Sequence, residues 1–248
     1  MIQTIVTAHY EEMSQLAADQ VAAFLIKKTN AVLGLATGGT PLGMYDRLIQ
    51  MYHQGKVDFS HVTTFNLDEY IGLSKDHPQS YAYYMWHHLF SHVNVHQENV
   101  HIPPGVFEKQ EQVQRDYEQA IERAGGIDLQ ILGIGENGHI GFNEPGMDLE
   151  VATHVVPLTE KTIQANARFF TSIDEVPRRA VTLGMGKIMQ AKHILLLASG
   201  KEKARAIAQT VNGHIDPRIP SSFLQLHPHV TMIIDKEAAQ ELQEVSSV

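Results

Sequence analysis

The feature that most narrows the fold is a set of short segments that stay apolar at consecutive positions. They are separated by stretches of helical periodicity, entered directly or after a loop. Residues 31–36 (AVLGLA), 127–133 (IDLQILG), 193–198 (HILLLA) and 229–234 (HVTMII) are of this kind, with 2–6 and 61–66 as weaker examples. A strand that is apolar on both faces must be covered on both, which is the condition of a parallel sheet between two helical layers. The intervening segments supply those layers. Met13, Leu16, Ala17, Val21, Phe24 and Leu25 fall on one face of a helix over residues 10–28. Leu42, Tyr45, Leu48, Ile49 and Tyr52 do the same after Pro41, as do Val113, Tyr117 and Ile121 within 108–124. Further helices are expected over 80–93, 160–168, 186–191 and 236–244, with 179–183 extended. Ser199-Gly200-Lys201-Glu202 has the form of a capping box and predicts a helix to about Val211. The expectation is one α/β domain over residues 1–248: a single doubly wound, mostly parallel sheet with helices on both faces, Rossmann-like.

Composition closes off several classes of function. The chain has 248 residues, 43% apolar and 19% charged, enough to bury a core without covalent staples. Its formal net charge of −9 makes it a poor binder of nucleic-acid backbones. It has no cysteine, which excludes disulfides, thiolate metal sites and cysteine nucleophiles. The first residues carry no basic leader, and no run is apolar enough to span a membrane. A cytoplasmic protein is expected, with neither membrane nor nucleic acid as a partner.

In a doubly wound sheet, ligands bind outside the carboxyl ends of the strands, so the loops that follow strands are the informative ones. Three stand out. Thr37-Gly38-Gly39-Thr40-Pro41 leads into a helix; its glycines let the backbone approach an anion, and the helix N-terminus presents N–H groups. An ordinary strand-to-helix turn would look much the same. Asp68, just beyond the 61–66 strand, is placed as a general base, although Asp also favours turns for its own reasons. The third loop runs from Gly133 to Gly146. It contains Gly133-x-Gly135-x-x-Gly138, but Gly141 and Pro145 interrupt the helix that a dinucleotide fingerprint requires. It presents Asn137, His139 and Glu144, a histidine with a carboxylate that can orient it. No third ligand accompanies His139 and Glu144, so no metal is expected. Arg168 and Lys203 are candidates to neutralise a phosphate, with Lys201 competing for the role of Lys203.

These segments, with Ala165–Phe170, Thr182–Gly186 and Leu224–Pro228, resemble the glucosamine-6-phosphate deaminase family along nearly the whole chain. The wider superfamily holds 6-phosphogluconolactonases and sugar-phosphate sensor domains, which are the alternative readings. The Phe65–Tyr70 and Gly138–Pro145 blocks resemble the deaminase branch. The resemblance implies conversion of glucosamine 6-phosphate and water to fructose 6-phosphate and ammonia, with no cofactor. It implies that His139 opens the sugar ring, with Glu144 and Asn137 as relay partners. Asp68 would move the C2 proton to C1 through an enolamine. Thr37, Gly38, Gly39, Thr40, Arg168 and Lys203 would hold the phosphate. Many members carry Asp where this chain has Asn137.

Longer members form hexamers activated by N-acetylglucosamine 6-phosphate, through hydroxyl and basic residues just after the Phe-Asn-Glu-Pro block and a C-terminal extension. Here that segment, 146–156, has no Lys or Arg and adds Asp148 and Glu150. A ligand with no differential interaction between two states shifts neither. The expectation is a monomer or small homo-oligomer with hyperbolic kinetics and no such activation. A sigmoidal rate curve that becomes hyperbolic on adding the acetylated sugar phosphate would overturn it.

Overall fold

The computed structural model describes residues 2–167 and 170–242. Seven strands form one parallel sheet: β1 (Gln3–Thr7), β2 (Val32–Leu35), β3 (Thr63–Asn66), β5 (Val100–His101), β6 (Leu129–Leu132), β9 (His193–Ala198) and β10 (Val230–Asp235). Their spatial order is β1-β10-β9-β6-β2-β3-β5. Three more, β4 (Asp68–Tyr70), β7 (His154–Pro157) and β8 (Arg179–Thr182), make a small antiparallel sheet in the order β4-β8-β7.

Strand alternation divides the main sheet's side chains between two cores. Leu195 and Leu197 of β9 pack with α1 (Tyr10–Lys27), α2 (Leu42–His53) and α3 (Tyr81–His88). Ile194, Leu196 and Ala198 pack on the other face with α4 (Gln110–Arg123), α6 (Met185–Ile188) and α7 (Ala204–Asn212). This is the doubly wound arrangement that the apolar strands imply. A third core joins Tyr70, Phe142 and Ala180 to Ile163 of α5 (Glu160–Ala167) and covers the small sheet.

From β2 the chain moves outward through β3 to β5, then returns to place β6 on the other side of β2. The β2/β6 boundary is therefore the switch point, where a crevice opens outside the strand ends. The loops after β2, β3 and β6 all meet there.

Four local expectations are corrected. Residues 68–70 are not a loop: they pair antiparallel with β8, with Asp68 opposite Thr182. The capping box at Ser199 does not form. Its hydroxyl donates to the Asp235 carboxylate instead, Gly200 takes φ 97°, and a 3-10 turn over Lys201–Lys203 delays α7 to Ala204. The helix over 80–93 ends at His88 and continues as a separate 3-10 turn, Phe90–His92. The described part of 236–244 makes successive turns, with Ala239 N–H to Asp235 O and Leu242 N–H to Ala239 O both at 3.0 Å, and forms no α-helix.

At the amino end of the sheet, Asp128 is 2% exposed. Its carboxylate accepts from Lys28 Nζ at 2.6 Å, Lys192 Nζ at 2.7 Å and Val32 N–H at 2.8 Å. Burial pushes this carboxyl up, but the lysines and the backbone donor outweigh it and hold it below the usual range. A carboxyl lowered on folding adds stability above its unfolded pKa and loses it as pH falls through the folded one. Both lysines are partly exposed, which limits the gain. Asp128→Asn should therefore destabilise by about 1–2 kcal/mol at neutral pH in urea unfolding. The difference should close as the pH falls below the carboxylate range.

Candidate active site

The crevice holds a cavity of about 370 Å³. The β2–α2 loop contributes Thr37, Gly38, Gly39 and Thr40 to its wall, and the loop after β6 contributes Gly135, Asn137, His139 and Glu144. Asp68 and Lys203 also line it. The phosphate and catalytic candidates named from the sequence are thus on one cavity, except Lys201 and Arg168, the latter lying outside the described residues. Lys203 faces the cavity and Lys201 does not line it.

Asp68 is 7% exposed, on a strand fixed between β3 and β8. Burial first, and the neighbouring Glu69 carboxylate second, push its carboxyl up to about 8. No cation or hydrogen-bond donor among the described residues offsets them. Glu69 is 2% exposed but turned away to cap α3. Its oxygens accept from the N–H groups of Tyr70 at 2.8 Å, Tyr81 at 2.9 Å and Ala82 at 2.9 Å. Burial still leaves the Glu69 carboxyl above its ordinary value. Tyr81 and Phe142 stack with ring centroids 6.2 Å apart and complete the wall.

His139 sits in a chain of three side chains. Asn137 Oδ1 lies 2.7 Å from His139 Nδ1 and also accepts the His139 backbone N–H at 3.2 Å. Asn137 Nδ2 donates to Glu144 Oε2 at 2.8 Å. A backbone N–H can only donate and an ionised carboxylate can only accept, so the amide has one consistent orientation. Its oxygen then requires a proton on Nδ1, which leaves Nε2 as the basic nitrogen of the neutral ring. Glu144 Oε1 approaches the same Nδ1 at 3.5 Å. Burial pushes the Glu144 carboxyl up, but His139, Asn137 and Thr162 outweigh it and hold it below the usual range. The ring lies over Gly135, where a Cβ would overlap it. Among the described residues no three His, Asp or Glu side chains are grouped to hold a metal.

Sequence reasoning missed Glu69, Tyr81 and Thr162. The Glu69 cap joins positions 12 and 13 residues apart, and the Thr162 hydroxyl reaches Glu144 from α5 at 3.4 Å. Neither spacing carries a local signature.

A buried acid, a hydrogen-bonded histidine and a glycine-rich loop at one switch point make this an α/β protein whose cavity is equipped for acid–base chemistry. The family model described as glucosamine-6-phosphate isomerases/6-phosphogluconolactonase matches residues 6–233, and the chain belongs to that family. It is 60% identical to a glucosamine-6-phosphate deaminase of Thermoanaerobacter pseudethanolicus over 252 aligned residues, covering all of both chains. It is 57% identical to one of Halothermothrix orenii, covering 97% of this chain and 100% of that one. Among solved structures, a monomeric glucosamine-6-phosphate deaminase superposes with a TM-score of 0.93 at 48% identity, over 97% of this chain and 100% of that one. A 6-phosphogluconolactonase from Thermotoga maritima shares the fold at a TM-score of 0.73 and 22% identity, over 95% and 99% of the two chains. No described helix is long and apolar enough to cross a membrane.

The raised Asp68 carboxyl has a consequence for stability. Its folded pKa, about 8, exceeds the ordinary 3.8, so the folded state binds the extra proton between these values. Stability from this group is full below the lower value and is lost as pH rises through the upper one. Asp68→Asn cannot ionise. Its melting temperature relative to the wild type should climb from about pH 5 to about pH 9. A difference that stays flat over this range would show that Asp68 titrates normally.

Proposed function

We propose that this chain converts glucosamine 6-phosphate and water to fructose 6-phosphate and ammonia in the switch-point cavity. The observation that carries this reading is Asp68, a buried carboxyl with no described cation beside it. An amino sugar brings an ammonium at C2, the carbon whose proton must move. That charge lowers the carboxyl pKa as the substrate enters and readies Asp68 as a base. A lactone would bring no such charge and requires no proton transfer from C2.

The proton inventory follows the side chains. Ring opening takes a proton from the C1 hydroxyl and gives one to the ring oxygen. His139 serves both transfers through Nε2, because Nδ1–H is engaged by Asn137. Glu144 balances the imidazolium that forms between them. In the open chain Asp68 takes the C2 proton while the C2 ammonium gives one to the aldehyde oxygen, forming an enolamine, and Asp68 then returns its proton at C1 to leave a protonated C2 imine. Water adds to the resulting C2 imine and ammonia leaves. Proton transfer and hydrolysis need no electron acceptor, so the reaction runs without a cofactor. The Thr37–Thr40 loop, Lys203 and Arg168 hold the phosphate, and this remote binding positions the reacting carbons.

The whole span 1–248 acts as one domain, as a monomer or small homo-oligomer. A sugar phosphate is too highly charged to cross a bilayer unaided, which places the enzyme in the cytoplasm with its substrate.

Purified protein should release ammonia from glucosamine 6-phosphate, and from glucosamine at least about a thousandfold less efficiently, since several charge-assisted contacts would be missing. Asp68→Asn should cut exchange of the C2 proton with solvent by about a hundredfold to ten-thousandfold, whereas His139→Gln should slow ring opening. Absence of ammonia release, or near wild-type C2 exchange in Asp68→Asn, would sink the assignment.

A further inference from the structure

The glycines of the β2–α2 loop create a weakness. A peptide flanked by glycine can turn over at little steric cost, because glycine accepts φ of either sign. Gly38 already sits at φ 100°. A loop free to turn over would present carbonyl oxygens to an anion as readily as N–H groups. The N–H groups of Gly39 and Thr40 find no acceptor among the described residues, so hydrogen bonds of their own do not hold them.

Their carbonyls are held instead. Tyr84, on α3, donates its hydroxyl to Gly38 O at 2.6 Å. Tyr10, the first residue of α1, donates to Gly39 O at 3.1 Å while accepting the Gly43 N–H at 2.8 Å. Because Gly43 N–H can only donate, the Tyr10 proton is committed to the Gly39 carbonyl. A third hydroxyl, of buried Tyr45, donates to Ala36 O at 2.6 Å and fixes the start of the loop. In a trans peptide the C=O and the following N–H point in opposite directions. Gly38, Gly39 and Thr40 line the cavity; Tyr10 and Tyr84 do not. Carbonyls drawn outward to the tyrosines therefore turn the Gly39 and Thr40 N–H groups inward.

We infer that Tyr10 and Tyr84 are positioning residues that hold the Gly38–Gly39 and Gly39–Thr40 peptides with their N–H groups facing the cavity, and so set its affinity for a phosphate group. The inference rests on the reading of this loop as the phosphate site. It adds two residues from different helices, neither of which touches the substrate.

The test uses the full chain with Tyr10→Phe, Tyr84→Phe and the double variant. Inorganic phosphate should raise the melting temperature of the wild type, and this rise should shrink in each variant and nearly vanish in the double. Each single change should raise KM for glucosamine 6-phosphate about three- to tenfold, the worth of one hydrogen bond, with kcat kept within about twofold. The phosphate inhibition constant should rise by the same factor, and kcat/KM for glucosamine should stay level. Melting without phosphate supplies the baseline that separates loop orientation from general damage. Variants with wild-type KM and a wild-type response to phosphate would overturn the inference, as would equal losses on glucosamine and its phosphate. No phosphate response in the wild type would overturn it too. If phosphate stabilises the wild type and the tyrosine variants lose that effect, but no ammonia is released, the inference stands and the reaction proposed above falls.

Discussion

Two aspartates, one just beyond the carboxyl end of β3 and one at the amino end of β6, show what the fold does with a buried carboxyl. Asp128 and Asp68 are both nearly closed to solvent, 2% and 7% exposed, but Asp68 lies far deeper among protein atoms. Asp128 has two lysines and a backbone N–H and is held ionised; Asp68 has only Glu69 beside it and is driven up to about 8. Burial without a counter-charge is costly, and groups in that position shift pKa rather than stay charged. The surroundings of Asp68 are arranged to keep it there. β4 pins its backbone to β8, and Glu69 is drawn off into the α3 cap, close enough to repel but committed elsewhere. Under the proposed reaction, a carboxyl poised in this way acquires its charge balance from the C2 ammonium of the substrate, which would favour a cation next to the reacting carbon.

The loop proposed for the phosphate shows the opposite solution. The β2–α2 loop has no side chain able to impose its own conformation at Gly38 and Gly39, so two tyrosine hydroxyls from α1 and α3 hold those carbonyls from outside while a third from α2 holds Ala36 at the loop's start. These helices form one core against the β2, β6 and β9 side chains that point to their face. The loop's orientation is thereby coupled to the packing of that whole layer. Donors fixed before the ligand arrives need no reorganisation, which is the advantage of a preorganised site.

The sheet and its two helical layers were legible because both depend on local periodicity: apolar runs at 193–198 and 229–234, and Met13, Ala17, Val21 and Leu25 on one face. The segments that gather on the cavity were legible because the Thr37–Thr40 run, Asp68 and the glycine-rich stretch from Gly133 to Glu144 come after strands. What was illegible depends on partners distant in sequence. Tyr84 lies 46 positions from Gly38, and Tyr10 29 from Gly39. The strand at Asp68–Tyr70 has polar residues and only three positions, and exists because β8 is there to pair with it. The Ser199 box failed because Asp235, brought alongside by β10, takes the hydroxyl that would have capped the helix. Local chemistry made an offer there, and tertiary contact made a stronger one.

Asn137 shows how a neutral side chain can serve a charge relay. An Asp at this position would set a second carboxylate next to Glu144, and the two would compete for one proton. The amide carries a donor and an acceptor on one plane, so it hydrogen-bonds both neighbours at once: oxygen to His139 Nδ1 at 2.7 Å, nitrogen to Glu144 at 2.8 Å. Its dipole points its negative end at the ring and its positive end at the carboxylate, which is the direction that supports an imidazolium. Glu144 remains the single anion of the chain, also reached directly from Nδ1 at 3.5 Å. The neutral link therefore costs the relay one charge but fixes the tautomer, because only Nδ1–H satisfies an acceptor that cannot itself be protonated near neutral pH. For the role proposed for His139, which takes a proton from one sugar oxygen and gives one to another, a certain Nε2 lone pair matters more than a stronger field.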